Sequence, residues 1–154
     1  MAQKHRHRDF IGYRVYSTQR ALHRSLELGL APFNLTPGQW NALNQLEEHG
    51  AMTQKALAER LQKEPATIAR SIERLVQWGL VKRETSPNDR RANIVEVTPA
   101  ASALLSEIEP AVTRRHEQIA AGIDKADLDV FFDVLAQVEA NAQRLATEHN
   151  PHRD

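Results

Sequence analysis

The chain has 154 residues and a mass of 17.4 kDa, which fits one domain or one compact subunit and is short for a multi-domain enzyme. Its composition, 41% hydrophobic and 26% charged, is that of an ordinary globular protein, and the absence of cysteine excludes disulfides, Cys-ligated zinc and thiol chemistry. The formal net charge is zero but unevenly spread: residues 1–52 carry +2, 53–91 carry +4 and 92–154 carry −6, which puts a basic working surface in the middle of the chain. No apolar run approaches the roughly 18 residues of a membrane span, and MAQKHRHRDF at the N-terminus lacks the apolar core of a signal peptide. A cytoplasmic protein with no membrane partner is expected.

From Phe10 to Leu30, the residues Ile11, Val15, Leu22, Leu26 and Leu30 recur at helical spacing and predict one long amphipathic helix that ends near Pro32. Thr36-Pro37 then reads as an N-cap with proline in the first turn. Trp40, Leu43 and Leu46 mark the buried face of this second helix, which Gly50 closes. Thr53 caps a short helix through Leu61, with Ala56, Leu57 and Leu61 inward. Pro65 opens the next helix, which runs to Gly79. In it Ile68, Ile72 and Leu75 follow the i, i+4, i+7 rule, while Thr67, Arg70, Ser71 and Arg74 take the opposite side. Two short helices joined by a tight turn, the second basic on its exposed face, predict a helix-turn-helix.

Leu80–Thr85 and Ala92–Val97 alternate as strands, with the turn-forming stretch 86–91 between them. A hairpin directly behind a recognition helix is a wing, and this one carries Arg90 and Arg91 at its tip. Thr98-Pro99 repeats the cap-and-proline signal and opens a long helix lined by Leu104, Leu105, Ile108, Val112, Ile119 and Ile123, with a kink expected at Pro110. Gly122 ends it. A last helix from Asp124 presents the stripe Leu128, Phe131, Phe132, Leu135, Val138 and Leu145. Long one-sided helices at both ends of the chain need a partner surface, and packing them against the same ends of a second copy predicts a homodimer. The expected fold is mainly α with a small β-hairpin wing. Residues 1–34 and 99–154 would form a helical dimerisation region, and 35–98 a winged helix-turn-helix DNA-binding domain.

Four segments sharpen this reading: LTPGQW at 35–40, TQKALA at 53–58, LVQWGLV at 75–81 and, above all, Asn88-Asp89-Arg90-Arg91 through Val97-Thr98. In this order they resemble the MarR/SlyA family of bacterial transcription regulators. The family's wing pattern, an Asp, an Arg two residues on, then a strand ending in Leu-Thr, stands here as Asp89, Arg91 and Val97-Thr98, with Val97 in place of Leu.

The resemblance implies a dimeric, ligand-responsive protein that binds double-stranded DNA, usually a repressor. It places the recognition helix at 65–78, in the major groove, with Ala66, Thr67 and Arg70 toward base edges. A methyl from Ala66 or Thr67 suits a thymine methyl, and Arg70 suits guanine. Arg74 would meet phosphate, as would Thr53 and Gln54 at a helix start. Arg90 would lie in or over the minor groove, while Asp89 and Arg91 pair to hold the wing. Lys55, Lys63, Lys82 and Arg83 are further candidate phosphate contacts. The competing reading makes Arg70 and Arg74 ordinary solvated arginines, with Glu73 and Glu64 as surface partners. The family's usual ligand pocket lies between the winged domain and the dimerisation helices. There Tyr13, Arg14, His23 and Trp40 are the candidate ligand-binding residues, a mix suited to a small aromatic acid, with core packing of Tyr13 and Trp40 as the alternative.

Enzyme chemistry has little to stand on. The seven histidines are dispersed and none forms His-Glu-x-x-His, and there is no Gly-rich phosphate loop, no Gly-x-Ser-x-Gly and no compelling acid pair. No catalytic residue, cofactor or metal ligand is therefore assigned. Two other readings remain: a zinc-responsive regulator of the same fold, for which His116 and Glu117 are the nearest material, and a winged helix that binds only protein partners. The last needs no arginines on the recognition helix and would show an exposed apolar patch on the winged domain.

Overall fold

The computed structural model describes residues 10–87, 89 and 92–148. Packing divides the chain into two units, residues 1–116 and 117–154. In the first, helix α1 (Ile11–Leu30) gives way to a turn of 3-10 helix at Ala31–Phe33. The end falls where Pro32 predicts it, for a different reason. Ala31 keeps right-handed helical angles (φ −54°, ψ −40°) rather than being pushed out of them. What stops the α pattern is the N–H that Pro32 lacks, and the chain tightens until Asn34 turns it with φ 57°.

Helix α2 (Pro37–His49) starts at a capping box. The Thr36 side chain accepts from the Gln39 N–H at 3.3 Å, and the Gln39 side chain accepts from the Thr36 N–H at 2.9 Å. Strand β1 (Met52–Thr53) leads into α3 (Gln54–Arg60), where the Thr53 hydroxyl caps the Ala56 N–H at 3.1 Å. A four-residue turn, 61–64, separates α3 from α4 (Pro65–Gln77). Two hydrogen bonds close this turn, Gln62 N–H to Glu59 C=O and Lys63 N–H to Ala58 C=O, around Gln62 in the left-handed conformation at φ 51°. The two helices pack on α2 through Leu43, Leu46, Leu57, Ile72 and Leu75, all fully buried.

Behind α4 the same motif recurs with glycine. Gly79 (φ 69°) donates to Val76 C=O and Leu80 to Leu75 C=O, both at 2.9 Å, and the chain turns straight into β2 (Val81–Thr85). Strand β3 (Asn93–Val97) pairs antiparallel with β2 from Val81↔Val97 to Thr85↔Asn93. It also pairs with β1 through Met52↔Val95, so the sheet order is β1-β3-β2. The expected hairpin is thus two strands of a three-stranded sheet, and Val95 on its middle strand is fully buried. Thr98 ties sheet to helix: its N–H reaches Leu80 C=O at 3.0 Å and its hydroxyl donates to Gly79 C=O at 2.7 Å.

Helix α5 (Pro99–Ala120) stays helical through Pro110 and buries Ala101 and Ile108 in the first unit's core. On it Arg115 crosses α1 where small residues leave room, donating to Ser25 Oγ at 3.2 Å and passing 2.9 Å from where a Cβ on Gly29 would stand. The second unit is carried by α6 (Lys125–Glu148), which follows the turn at Gly122. No helix of the described residues is long and apolar enough to cross a membrane.

Candidate nucleic-acid interface

Burial of Ile68, Ile72 and Leu75 on one side of α4 turns Ala66, Thr67, Arg70 and Arg74 to solvent on the other. Arg70 and Arg74 stand one helical turn apart. Glu64 and Glu73, the partners an ordinary surface pair would use, do not reach them; among the described residues neither arginine makes an ion pair. Among the described residues nothing occupies either guanidinium's fork of N–H donors, which suits it to a carboxylate- or phosphate-like acceptor.

The remaining candidates come from segments that only the fold brings together. Thr53, Gln54 and Lys55 at the start of α3, Pro65 and Ala69 on α4, and Ser86, Asp89 and Asn93 at the wing line one cleft of about 560 Å³. Thr53 already uses its oxygen to cap Ala56, which leaves the hydroxyl proton to donate outward. Asp89 is exposed, and its carbonyl accepts from the Ala92 N–H at 3.0 Å in the tight end of the hairpin. Arg90 and Arg91 lie outside the described residues. Lys63, Lys82 and Arg83 are exposed, the last two on opposite sides of β2, and Lys55 pairs loosely with Glu59 at 3.9 Å.

The four residues expected to hold a ligand are not gathered at one place. Trp40 is half-buried and lines a cleft between α2 and α5. His23 lies on an exposed groove of α1, with its Nδ1 3.7 Å from the Glu27 carboxylate. Tyr13 is half-buried further up α1 and Arg14 beside it is exposed. The helical pattern locates residues along each helix but carries no information on which residue of α1 faces which residue of α2. Missing from the sequence reading are Glu47 on α2 and Ser102 and Glu109 on α5, which share the cleft with Trp40. Helices 55 residues apart meet there, and no spacing rule links them. Among the described residues no three His, Asp or Glu side chains gather as a metal site.

Residues 33–92, which hold the helix-turn-helix and strand β2 but stop short of β3, match the MarR family model. That segment is similar to the MarR family. Solved structures of similar fold extend the match beyond that segment. A probable transcriptional regulator from Pseudomonas aeruginosa is 29% identical, with a TM-score of 0.78 over 86% of this chain and 99% of that one. A mutant MarR from E. coli, complexed with operator DNA, is 22% identical with a TM-score of 0.78, over 83% of this chain and 92% of that one. Bordetella bronchiseptica BpsR, whose DNA binding is regulated by 6-hydroxynicotinic acid, is 21% identical with a TM-score of 0.80, over 89% and 98%. By that likeness α3 and α4 correspond to a helix-turn-helix and β2–β3 to a wing. Within 35–98 the large apolar side chain exposed among the described residues is Trp78, at the end of α4 away from Ala66 and Arg70.

Proposed function

We propose that this chain is a homodimeric repressor that reads pseudo-palindromic operators in double-stranded DNA and leaves them when a small molecule binds. The observation that carries the DNA reading is the exposed Arg70–Arg74 face of α4, unpaired among the described residues and flanked by the wing and the start of α3. On a duplex, Arg70 would take the O6 and N7 acceptors of a guanine and Ala66 or Thr67 a thymine methyl. Arg74, Thr53 and Gln54 would hold phosphates, Arg90 would follow the minor groove, and Asp89 with Arg91 would shape the wing. The E. coli MarR mutant solved with operator DNA supports the same use of the fold. The protein-partner alternative needs an apolar patch on the winged domain, and Trp78 alone does not make one.

Dimerisation through residues 1–34 and 99–154 draws on where apolar surface is left open. Apart from Trp78, every large apolar side chain exposed among the described residues lies in the segments 10–28 and 119–145. Two such chains would set recognition helices about one helical turn of DNA, roughly 34 Å, apart. A ligand releases the operator only if it binds better to a spacing that does not fit.

Selection from random duplexes at two salt concentrations tests this reading. A two-fold symmetric site should be enriched, bound by two subunits, with affinity falling steeply as salt rises. Absence of any enriched sequence, with negligible binding at low salt, would overturn it.

A further inference from the structure

Between α2 and α5 lies a cleft of about 360 Å³, within the size range of small-molecule sites. Trp40, Leu105 and Val112 give it an apolar lining, and among the described residues its charges are all negative. Glu47 and Glu109 line it, and among the described residues no Lys, Arg or His does. Its hydroxyl protons are largely used inside the protein: Ser102 Oγ donates to Glu47 Oε2 at 2.9 Å, and Ser106 Oγ to the Ser102 carbonyl at 3.0 Å. Asn44 spends one N–H on the Trp40 carbonyl at 2.9 Å. Glu109 makes no ion pair among the described residues. The cleft thus offers acceptors and negative charge alongside an aromatic side chain.

We propose that this cleft binds a small monocationic amine with an aromatic or branched aliphatic body, and that such an amine, rather than an aromatic acid, is the effector class of this protein. The effector role rests on the regulator reading above; the binding chemistry does not. An ammonium brings three donors and a positive charge to Glu47 and Glu109, while the Trp40 ring takes the apolar body and adds cation–π attraction. A carboxylate ligand would meet two like charges and no compensating cation. A bare divalent ion is served poorly, because it wants six or more oxygen ligands and among the described residues no third acidic or histidine side chain joins the pair. Glu47 is also the acceptor of the Ser102 hydroxyl, so an ammonium there competes for the hydrogen bond that joins α5 to α2, on which α3 and α4 pack.

The test follows Trp40 fluorescence in the DNA-free full chain. Trp78→Phe leaves Trp40 as the one tryptophan of the two in the sequence. Phenethylamine, phenylethanol and phenylacetate share a body and differ in charge, and each is titrated at fixed ionic strength. The amine should saturate about tenfold tighter than the alcohol, with the acid weakest. Glu109→Gln and Glu47→Gln should each weaken the amine about five- to tenfold and leave the alcohol unchanged, with circular dichroism checking the fold. Equal binding of amine and alcohol, or indifference of the amine to Glu109→Gln, would overturn the site. So would the same fluorescence change with magnesium or calcium chloride alone. Operator binding is measured on the same preparation. A protein that binds operator but no amine refutes the cleft assignment and leaves the regulator reading standing. One that binds amine through Glu109 but no duplex refutes the effector role and, with it, that reading.

Discussion

Arg70 faces solvent because Ile68 and Ile72, on either side of it in sequence, point into the core; at about 100° per residue the helix has no other way to bury both. Arg74 sits one turn further from the start of α4, where a side chain meets the backbone of a bound duplex rather than its base edges. The two arginines should therefore behave differently. Arg70→Ala is expected to cost about 1–3 kcal/mol of operator affinity and to relax the preference at one base pair. Arg74→Ala should weaken all duplexes alike and lower the salt slope by about one. Titrations against the operator and its single-base variants separate the two, and an Arg70→Ala protein that keeps its base preference refutes the groove assignment. This face was legible in the sequence because periodicity along one helix is enough to define it. The set Tyr13, Arg14, His23 and Trp40 was not, because gathering it needs the rotation and crossing of two helices.

Both turns that frame α4 end in the same hydrogen-bond motif, one built on glycine and one without it. At Gly79 the left-handed angle is free of strain, and an added Cβ would meet no atom within 4 Å, so any cost of Gly79→Ala is backbone alone. A loss of about 1–2 kcal/mol in denaturant unfolding is expected. Gln62 carries the equivalent strain in the turn between α3 and α4. Gln62→Gly should raise stability by a few tenths to about 1 kcal/mol, the relieved strain being partly offset by glycine's greater freedom in the unfolded chain. If Gly79→Ala is neutral, the left-handed turn does not fix the junction between α4 and the wing. The helices could be placed from their caps and prolines, since Thr36-Pro37, Thr53 and Pro65 act locally. Strand β1 could not: two residues are too few to show alternation, and Met52–Thr53 are a strand only because β3 lies beside them.

At the scale of the molecule, α6 contains Phe131 and Phe132, each about half exposed in the single chain, with their rings 5.6 Å apart. If residues 1–34 and 99–154 bury this surface against a second copy, replacing both rings by glutamate places charge in an apolar interface and should shift sedimentation from dimer to monomer. Operator affinity would fall with it, because a lone subunit holds one half-site. The unsubstituted chain should also melt at a temperature that rises with protein concentration. A Phe131→Glu, Phe132→Glu chain that remains dimeric would move the interface elsewhere. Trp78→Phe, on the winged segment, should leave the oligomeric state unchanged.

Taken by itself, the sequence determined the order of the helices and of the two wing strands, the basic face of α4 and the apolar stripes at both chain ends. Each depends on spacing within one helix or on a cap a few residues away, and such patterns survive without a fold. Tertiary structure decided what no single element contains. It set the third strand beside the wing and brought Thr53, Gln54 and Asp89 around one cleft. It also put Glu47 and Glu109 in the cleft that Trp40 lines, where the sequence had suggested Arg14 and an acidic ligand. These are meetings of residues far apart in the chain, fixed by how helices pack and cross.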